Sequence, residues 1–297
     1  IESLIESFSK GCINLMLHPH FSPAFFLTAS PKTLLATIKK AELKQGEKLL
    51  EALQSLARKT LDFSTSEPAV FEMLRARLHT QLHYFKERQK CIGLEEKNIA
   101  HLLQKTPYAL LTSIPGVGIV TAGMIAAELG SGIGEHSVNE IASYAGLVPR
   151  QKQSGGSKSQ PITYSAPKAA NKRLKCALYT ASSLAKKYDH PSVSMIGVTH
   201  PLKEKYKEVA LRNGSAYSAT SKKFIRICVA MIRDKNIYMP DISSLTSEQT
   251  TIWIETGTQK MLDKWLLAGI KPNDSNVLGE WIQQKDKIIE ILNTDLK

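Results

Sequence analysis

Ile114-Pro115-Gly116-Val117-Gly118-Ile119-Val120-Thr121-Ala122 is the stretch from which the rest of the chain can be read. Pro115-Gly116-Val117-Gly118 is a turn signal with an apolar residue on each side. Glycine at both positions lets the backbone take positive φ and approach a partner closely. After the turn, Ile119, Ala122, Ile125, Ala126 and Leu129 share one face of a helix running from Ile119 to Leu129. Tyr108 to Ser113 reads as a short helix before it. The run from Thr106 to Ala127 carries no charge. Pro115 and the two glycines interrupt it, so only about half is continuous apolar helix, short of the roughly 20 residues of a membrane span.

Two short helices joined by a Gly-x-Gly turn resemble the helix-hairpin-helix of many DNA-binding proteins. In that motif the turn amides and the helix N-terminus hold a phosphate without side-chain charge. Gly116, Gly118 and Thr121 are the candidate contacts. A buried helical hairpin with no ligand is the competing reading.

Downstream lies Gln151-Lys152-Gln153-Ser154-Gly155-Gly156-Ser157-Lys158, and then Lys168-Ala169-Ala170-Asn171-Lys172-Arg173-Leu174-Lys175. No Asp or Glu occurs between Glu140 and Asp189, whereas Arg150, Lys152, Lys158, Lys168, Lys172, Arg173, Lys175, Lys186 and Lys187 do. With Tyr164 and Tyr179 interleaved, this is the electrostatic footprint of a phosphate-rich partner. A solvated basic face is the alternative, but these charges straddle a Gly/Ser loop and do not line one helix. Gly155 and Gly156 would let a phosphodiester approach the Ser154 hydroxyl, and the cations would stabilise charge developing on phosphorus. A serine nucleophile also needs a proton acceptor, and no neighbour is an obvious one. Read by itself, Ser154 is either that nucleophile or an ordinary loop serine.

The order of Leu111-Thr112-Ser113-Ile114-Pro115-Gly116-Val117-Gly118, Ser143-Tyr144-Ala145-Gly146-Leu147-Val148-Pro149-Arg150, Ser154-Gly155, Lys168 to Leu174 and Ala177-Leu178-Tyr179 resembles the C-terminal half of a transposase family. This is the one-ten family of insertion sequences, which includes a pilin-gene invertase. The resemblance spans roughly Phe21 to Pro240. It implies a serine nucleophile at Ser154, with Gly155 beside it, and a separate N-terminal RuvC-like domain whose four acids bind metal, expected to be Mg2+. It also implies a guide RNA in some members. Two positions depart from the family pattern: Ala170 replaces a glycine before the basic helix, and Lys175 stands where arginine is common. The segment after Ile1 resembles the part of such enzymes that lies C-terminal to the RuvC-like domain, so that domain is expected to be missing here. No cofactor is expected in this chain itself.

The chain has 297 residues and a net charge of +12, enough for one large or two modest domains, with a balance that favours nucleic acid. Cys12, Cys91, Cys176 and Cys228 are widely spaced. That spacing fits neither a zinc site nor a secreted disulfide framework, and reads as a reducing cytoplasm with four buried thiols. No signal peptide or lipidation motif points to a membrane.

The expected fold is mainly α, in four parts. Residues 1–67 form a helical subdomain, with helices over Ile1–Leu17, from Pro31 and over Gln45–Leu61. Residues 68–105 form an arm whose periodic segment, a long helix from Pro68 to Leu103, carries an apolar stripe (Phe71, Leu74, Leu78, Leu82, Phe85, Ile92, Ile99, Leu103) that suits a coiled-coil seam and a homodimer or tetramer. Residues 106–240 form the helix-hairpin-helix and serine-bearing domain. It includes helices from Ser137 to Tyr144 and from Ala169 to Lys187, an extended piece at Ile162-Thr163, and Asn171, Lys222 and Lys223 as further nucleic-acid contacts. Residues 241–297, with all three tryptophans, form a helical C-terminal extension. The leading expectation is the C-terminal part of a DNA transposase or recombinase. The alternatives are a helix-hairpin-helix nucleic-acid-binding protein without covalent chemistry, and an inactive mobile-element remnant.

Overall fold

The structure is a computed structural model describing residues 9–43, 46–148, 151–152, 162–163, 170–197, 201–211, 216–240, 245–273 and 275–294. These fall into two units, Ile1–Gly93 and Leu94–Lys297, with the division inside one long helix. The fold is mainly α, as the sequence predicts.

In the first unit, serine-proline pairs start the helices. Ser22 caps α2 (Pro23–Thr28) and Ser30 caps α3 (Pro31–Lys40), each with proline in the first helical turn. With α1 (Lys10–Met16) and α4 (Gly46–Ser66), they enclose Leu15, Phe26, Leu34, Ile38, Leu49 and Leu53. The long helix α5 (Pro68–Leu103) has the bounds its periodicity predicts. Leu82 is buried, but Leu74, Leu78, Phe85 and Ile92 are exposed, Ile92 by 58%.

In the second unit, a 3-10 helix (Pro107–Ser113) leads through the glycine turn into α6 (Ile119–Leu129). A second 3-10 helix (Ser131–Glu135) precedes α7 (Val138–Tyr144), which starts on a reciprocal Ser137/Glu140 cap. Strands β1 (Gln151–Lys152) and β2 (Ile162–Thr163) pair antiparallel. The chain continues through α8 (Lys172–Lys187), α9 (Val193–Ile196), α10 (Pro201–Leu211), α11 (Ala216–Asp234), α12 (Ser247–Leu267) and α13 (Val277–Thr294). Two starts come later than expected: α8 begins at Lys172, after the extended Asn171 cap, and extended Ser9 caps α1, so no single helix runs through Ile1–Leu17, whose first eight residues lie outside the described residues.

The three tryptophans set the architecture of this unit. Trp253, Trp265 and Trp281 are 0%, 0% and 1% exposed and share one core with Leu110, Leu111 and Ile114. Burying each contributes on the order of 4–6 kcal/mol, from 150–250 Å² at about 25 cal/mol per Å². Their indole N–H groups donate to Tyr238 O (2.8 Å), Thr112 Oγ1 (2.9 Å) and Thr258 Oγ1 (3.0 Å). Trp253 also stacks on buried His190 at 3.7 Å between ring centroids. Asn276 binds Gln104, and Val277 N donates to Gln104 O. The residues set apart as an extension in the sequence thus close the core around the glycine turn.

One expectation is corrected. Cys12 and Cys228 are buried, but Cys91 and Cys176 are exposed. Cys176 falls opposite the face of α8 that buries Leu174, Ala177 and Leu178, and apolar character alone does not place a thiol on the inward stripe. Among the described residues, no helix is long and apolar enough to cross a membrane.

Candidate nucleic-acid interface

Ile114 and Val117 are fully buried, and Val117 N donates to Ile114 O, closing the turn. Gly116 takes φ +80, and a Cβ there would lie 2.6 Å from Leu184 Cβ and 3.0 Å from its carbonyl carbon. The close approach that the sequence assigns to a ligand is therefore made to α8. Gly118 differs: it is the N-cap of α6, no side chain caps that end, and a Cβ on it would meet nothing within 4 Å. Thr121, in the first turn of α6, is half-buried.

The turn is held from the C-terminal side. Tyr238 N donates to Ser113 Oγ, and Trp265 to Thr112 Oγ1. Lys264 Nζ donates to Thr112 O (2.5 Å) and Val117 O (2.8 Å). Burial, reinforced by Lys260, pushes the Lys264 ammonium down to about 8. The sequence reading singles out neither Lys264 nor Trp265. The available signal is periodicity: Lys264 falls on the stripe carrying Trp253, Gly257 and Met261, where a lysine must find buried acceptors.

At the start of α8, Asn171 Oδ1 accepts from Leu174 N (3.0 Å), an N-cap bond of the kind asparagine favours. Its amide donates to Glu128 Oε2 (2.7 Å) and Tyr144 OH (2.8 Å), and its own N–H to Tyr144 O. Arg173 reaches the other Glu128 oxygen at 3.9 Å while remaining 84% exposed. An internal carboxylate thus sits where cations crowd a helix N-terminus and counters their clash with its dipole. Gly146, at φ +66, receives the Ala170 methyl; a Cβ on it would come within 2.3 Å. Beside this junction is a cleft of about 400 Å³ lined by Glu128, Leu129, His136, Glu140, Ile141 and Tyr144.

Lys172 and Arg173 are exposed, and Lys175 lies 5.5 Å from the Tyr179 ring centroid. Lys222 is half-buried. Lys223 donates to Pro201 O at 3.1 Å, and burial lowers its ammonium below the usual lysine range. Ser154, Gly155, Arg150, Lys158 and Lys168 lie outside the described residues, and Lys152 is described only as backbone in β1. In sequence, β1 and β2 flank the serine loop. Among the described residues, no group of three or more His, Cys, Asp or Glu side chains is placed to hold a metal ion.

These contacts fix an antiparallel pair. The turn leading into α6 meets Leu184 late in α8, and Glu128 at the C-terminal end of α6 meets Asn171 and Arg173 at the start of α8. From Arg173 to Leu184 is eleven residues, or about 16 Å of helix. The turn and the basic start are thus at opposite ends of one helix pair.

Residues 108–194, covering that pair, match the model of the Transposase IS116/IS110/IS902 family. The chain is 24% identical to an IS110 insertion-element protein of Streptomyces coelicolor over 76% of this chain and 53% of that protein. It is 37% identical to the transposase of insertion element IS1328 of Yersinia enterocolitica over 30% of this chain and 26% of that one. A pilin gene-inverting protein of Moraxella bovis is 28% identical over 59% of this chain and 62% of its own length. Over this segment the chain is similar to the IS116/IS110/IS902 transposase family. It spans less than two thirds of each of these relatives.

Proposed function

We propose that this chain is the nucleic-acid-binding part of an insertion-element transposase or recombinase, with DNA as its partner. The reading rests on the family match, which covers both the glycine turn and the basic start of α8. The grip has two points: the uncapped amides at the start of α6 for one phosphate, and Lys172, Arg173 and Lys175 for others. At 3.4 Å per nucleotide along a strand, about 16 Å separates phosphates about five base pairs apart. Asn171 serves this grip indirectly, by fixing the start of α8 on Glu128 and Tyr144.

In this reading Ser154 supplies the nucleophile. Its oxygen forms a bond to phosphorus while the bond from phosphorus to the leaving deoxyribose oxygen breaks, and that oxygen takes up the serine proton. The phosphoserine link conserves the bond energy for rejoining. This step is assigned to the whole enzyme, in which an acidic RuvC-like domain and, in some members, a guide RNA take part. The exposed stripe on α5 fits a homodimer or higher assembly.

The deciding experiment supplies the full-length enzyme with its DNA and searches by mass spectrometry for a nucleotide on Ser154. A Ser154→Ala enzyme that still cleaves would leave only the binding function.

A further inference from the structure

We infer that Lys264, on a helix outside the family-matched segment, is a positioning residue of the phosphate grip. It pins the turn before α6 and sets a positive charge behind that helix's first amides. The inference rests on the proposed binding function and goes beyond it by adding the C-terminal helices to the binding element.

Lys264 Nζ donates to Thr112 O and Val117 O, carbonyls on either side of the Ile114–Gly116 bend. Two anchor points across a tight turn fix its opening. Val117 immediately precedes Gly118, the N-cap of α6, so the ammonium acts at the positive end of that helix. It forms no ion pair with a carboxylate among the described residues. An ammonium held on neutral carbonyls keeps its charge available to an approaching anion. Next to it, Trp265 donates to Thr112 Oγ1 and is fully buried, so the helix cannot slide relative to the turn.

The surroundings give this arrangement a pH signature. Lys260, one turn earlier on α12, is the charge that acts on Lys264, and burial is the larger effect. Of the elements packed on α12, the 3-10 helix offers Tyr108, whose hydroxyl is spent on Gly130 O, and His190 and Tyr238 pack at Trp253, near the other end of α12. The α13 helix carries Glu280, Lys285, Asp286, Lys287 and Glu290. With its ammonium lowered to about 8, Lys264 is charged at neutral pH and loses its proton a little above it. A bound phosphate opposes that loss, so binding takes up a fraction of a proton near pH 8 and weakens as pH rises.

The test uses the whole chain, a fluorescein-labelled duplex DNA of random sequence, and the variants Lys264→Met and Lys264→Arg. Melting temperatures are recorded for each. At neutral pH, Lys264→Met is expected to bind about tenfold more weakly, the effect of one well-placed charge. The wild type should weaken by up to a similar factor between about pH 7 and pH 9, whereas Lys264→Arg, charged throughout, should stay flat over that range. Wild-type affinity in Lys264→Met, or an unchanged pH profile in Lys264→Arg, overturns the inference. If Lys264→Met fails to fold, the profile of Lys264→Arg decides. Loss of binding in a Lys172→Ala/Arg173→Ala variant but not in Lys264→Met leaves the binding function standing and removes this inference alone. A wild-type chain that does not bind the duplex removes both.

Discussion

Gly116 and Gly118 belong to one motif but differ in surroundings, Gly116 packing on α8 and Gly118 facing open space, so under the proposed function replacing each by alanine should separate folding from binding. At Gly116 an alanine must adopt φ +80, costing about 1–2 kcal/mol. Its methyl must also share space with Leu184, at 2.6 Å from Cβ and 3.0 Å from the carbonyl carbon. Helix backbone does not yield as a flexible side-chain end does, so overpacking adds about 1–3 kcal/mol. Together Gly116→Ala should cost about 3 kcal/mol, which for a domain of this size lowers the melting temperature by about 6–12 °C. At Gly118 the φ is −99 and no atom lies within 4 Å of the new methyl. Gly118→Ala should cost less than about 1 kcal/mol, the difference between glycine and alanine at an N-cap. Its methyl stands in the open space before the first amides of α6, so duplex binding should fall several-fold with the fold intact. Calorimetry and fluorescence anisotropy on both variants make the comparison. Equal melting temperatures for the two would refute the close approach of the turn to α8, and unchanged binding in Gly118→Ala would refute the use of those amides.

Asn171→Ala removes the cap of α8 and the donors to Glu128 and Tyr144, and should cost about 2 kcal/mol in a urea melt. Lys264 titrates lower folded than unfolded, so between about 8 and 10.5 the unfolded chain holds more protons and stability rises with pH. Over that window the wild type should gain up to about 3 kcal/mol relative to Lys264→Met. Comparing the two cancels the opposing effects of Tyr108, Tyr238 and Cys228, which burial pushes upward. Leu78→Glu with Ile92→Glu changes exposed positions of α5. It should leave helicity unchanged while converting an oligomer to monomer in sedimentation, and a wild-type chain already monomeric at high concentration would remove the dimer proposal. Duplex affinity should drop steeply with added salt, as counterion release requires; salt-insensitive binding would count against the basic start of α8.

The elements legible in the sequence are those determined locally. Pro68–Leu103 and Ile119–Leu129 have the predicted bounds because a long period or a flanking glycine marks them. Ser30 and Ser137 announce the helices they cap. α2 has only six residues and too little period to read. The site is less legible, because its contacts cross long stretches of chain: Asn171 to Glu128 spans 43 residues and Lys264 to Val117 spans 147. The glycine turn is recognisable as a place of close approach, but composition does not say whether a ligand or Leu184 makes the approach. For Cys176, a small apolar residue on a helix gives the wrong face.

The tryptophan core joins the segment around residue 110 to helices made some 150 residues later. On the ribosome, the glycine turn must therefore wait, its apolar surface without a lid, until α12 and α13 have left the exit tunnel. A nonsense codon anywhere in the last two helices would then do more than shorten the product. It would leave the nascent chain unable to close the core around the turn, and interrupted synthesis would yield unfolded molecules rather than shortened but intact ones.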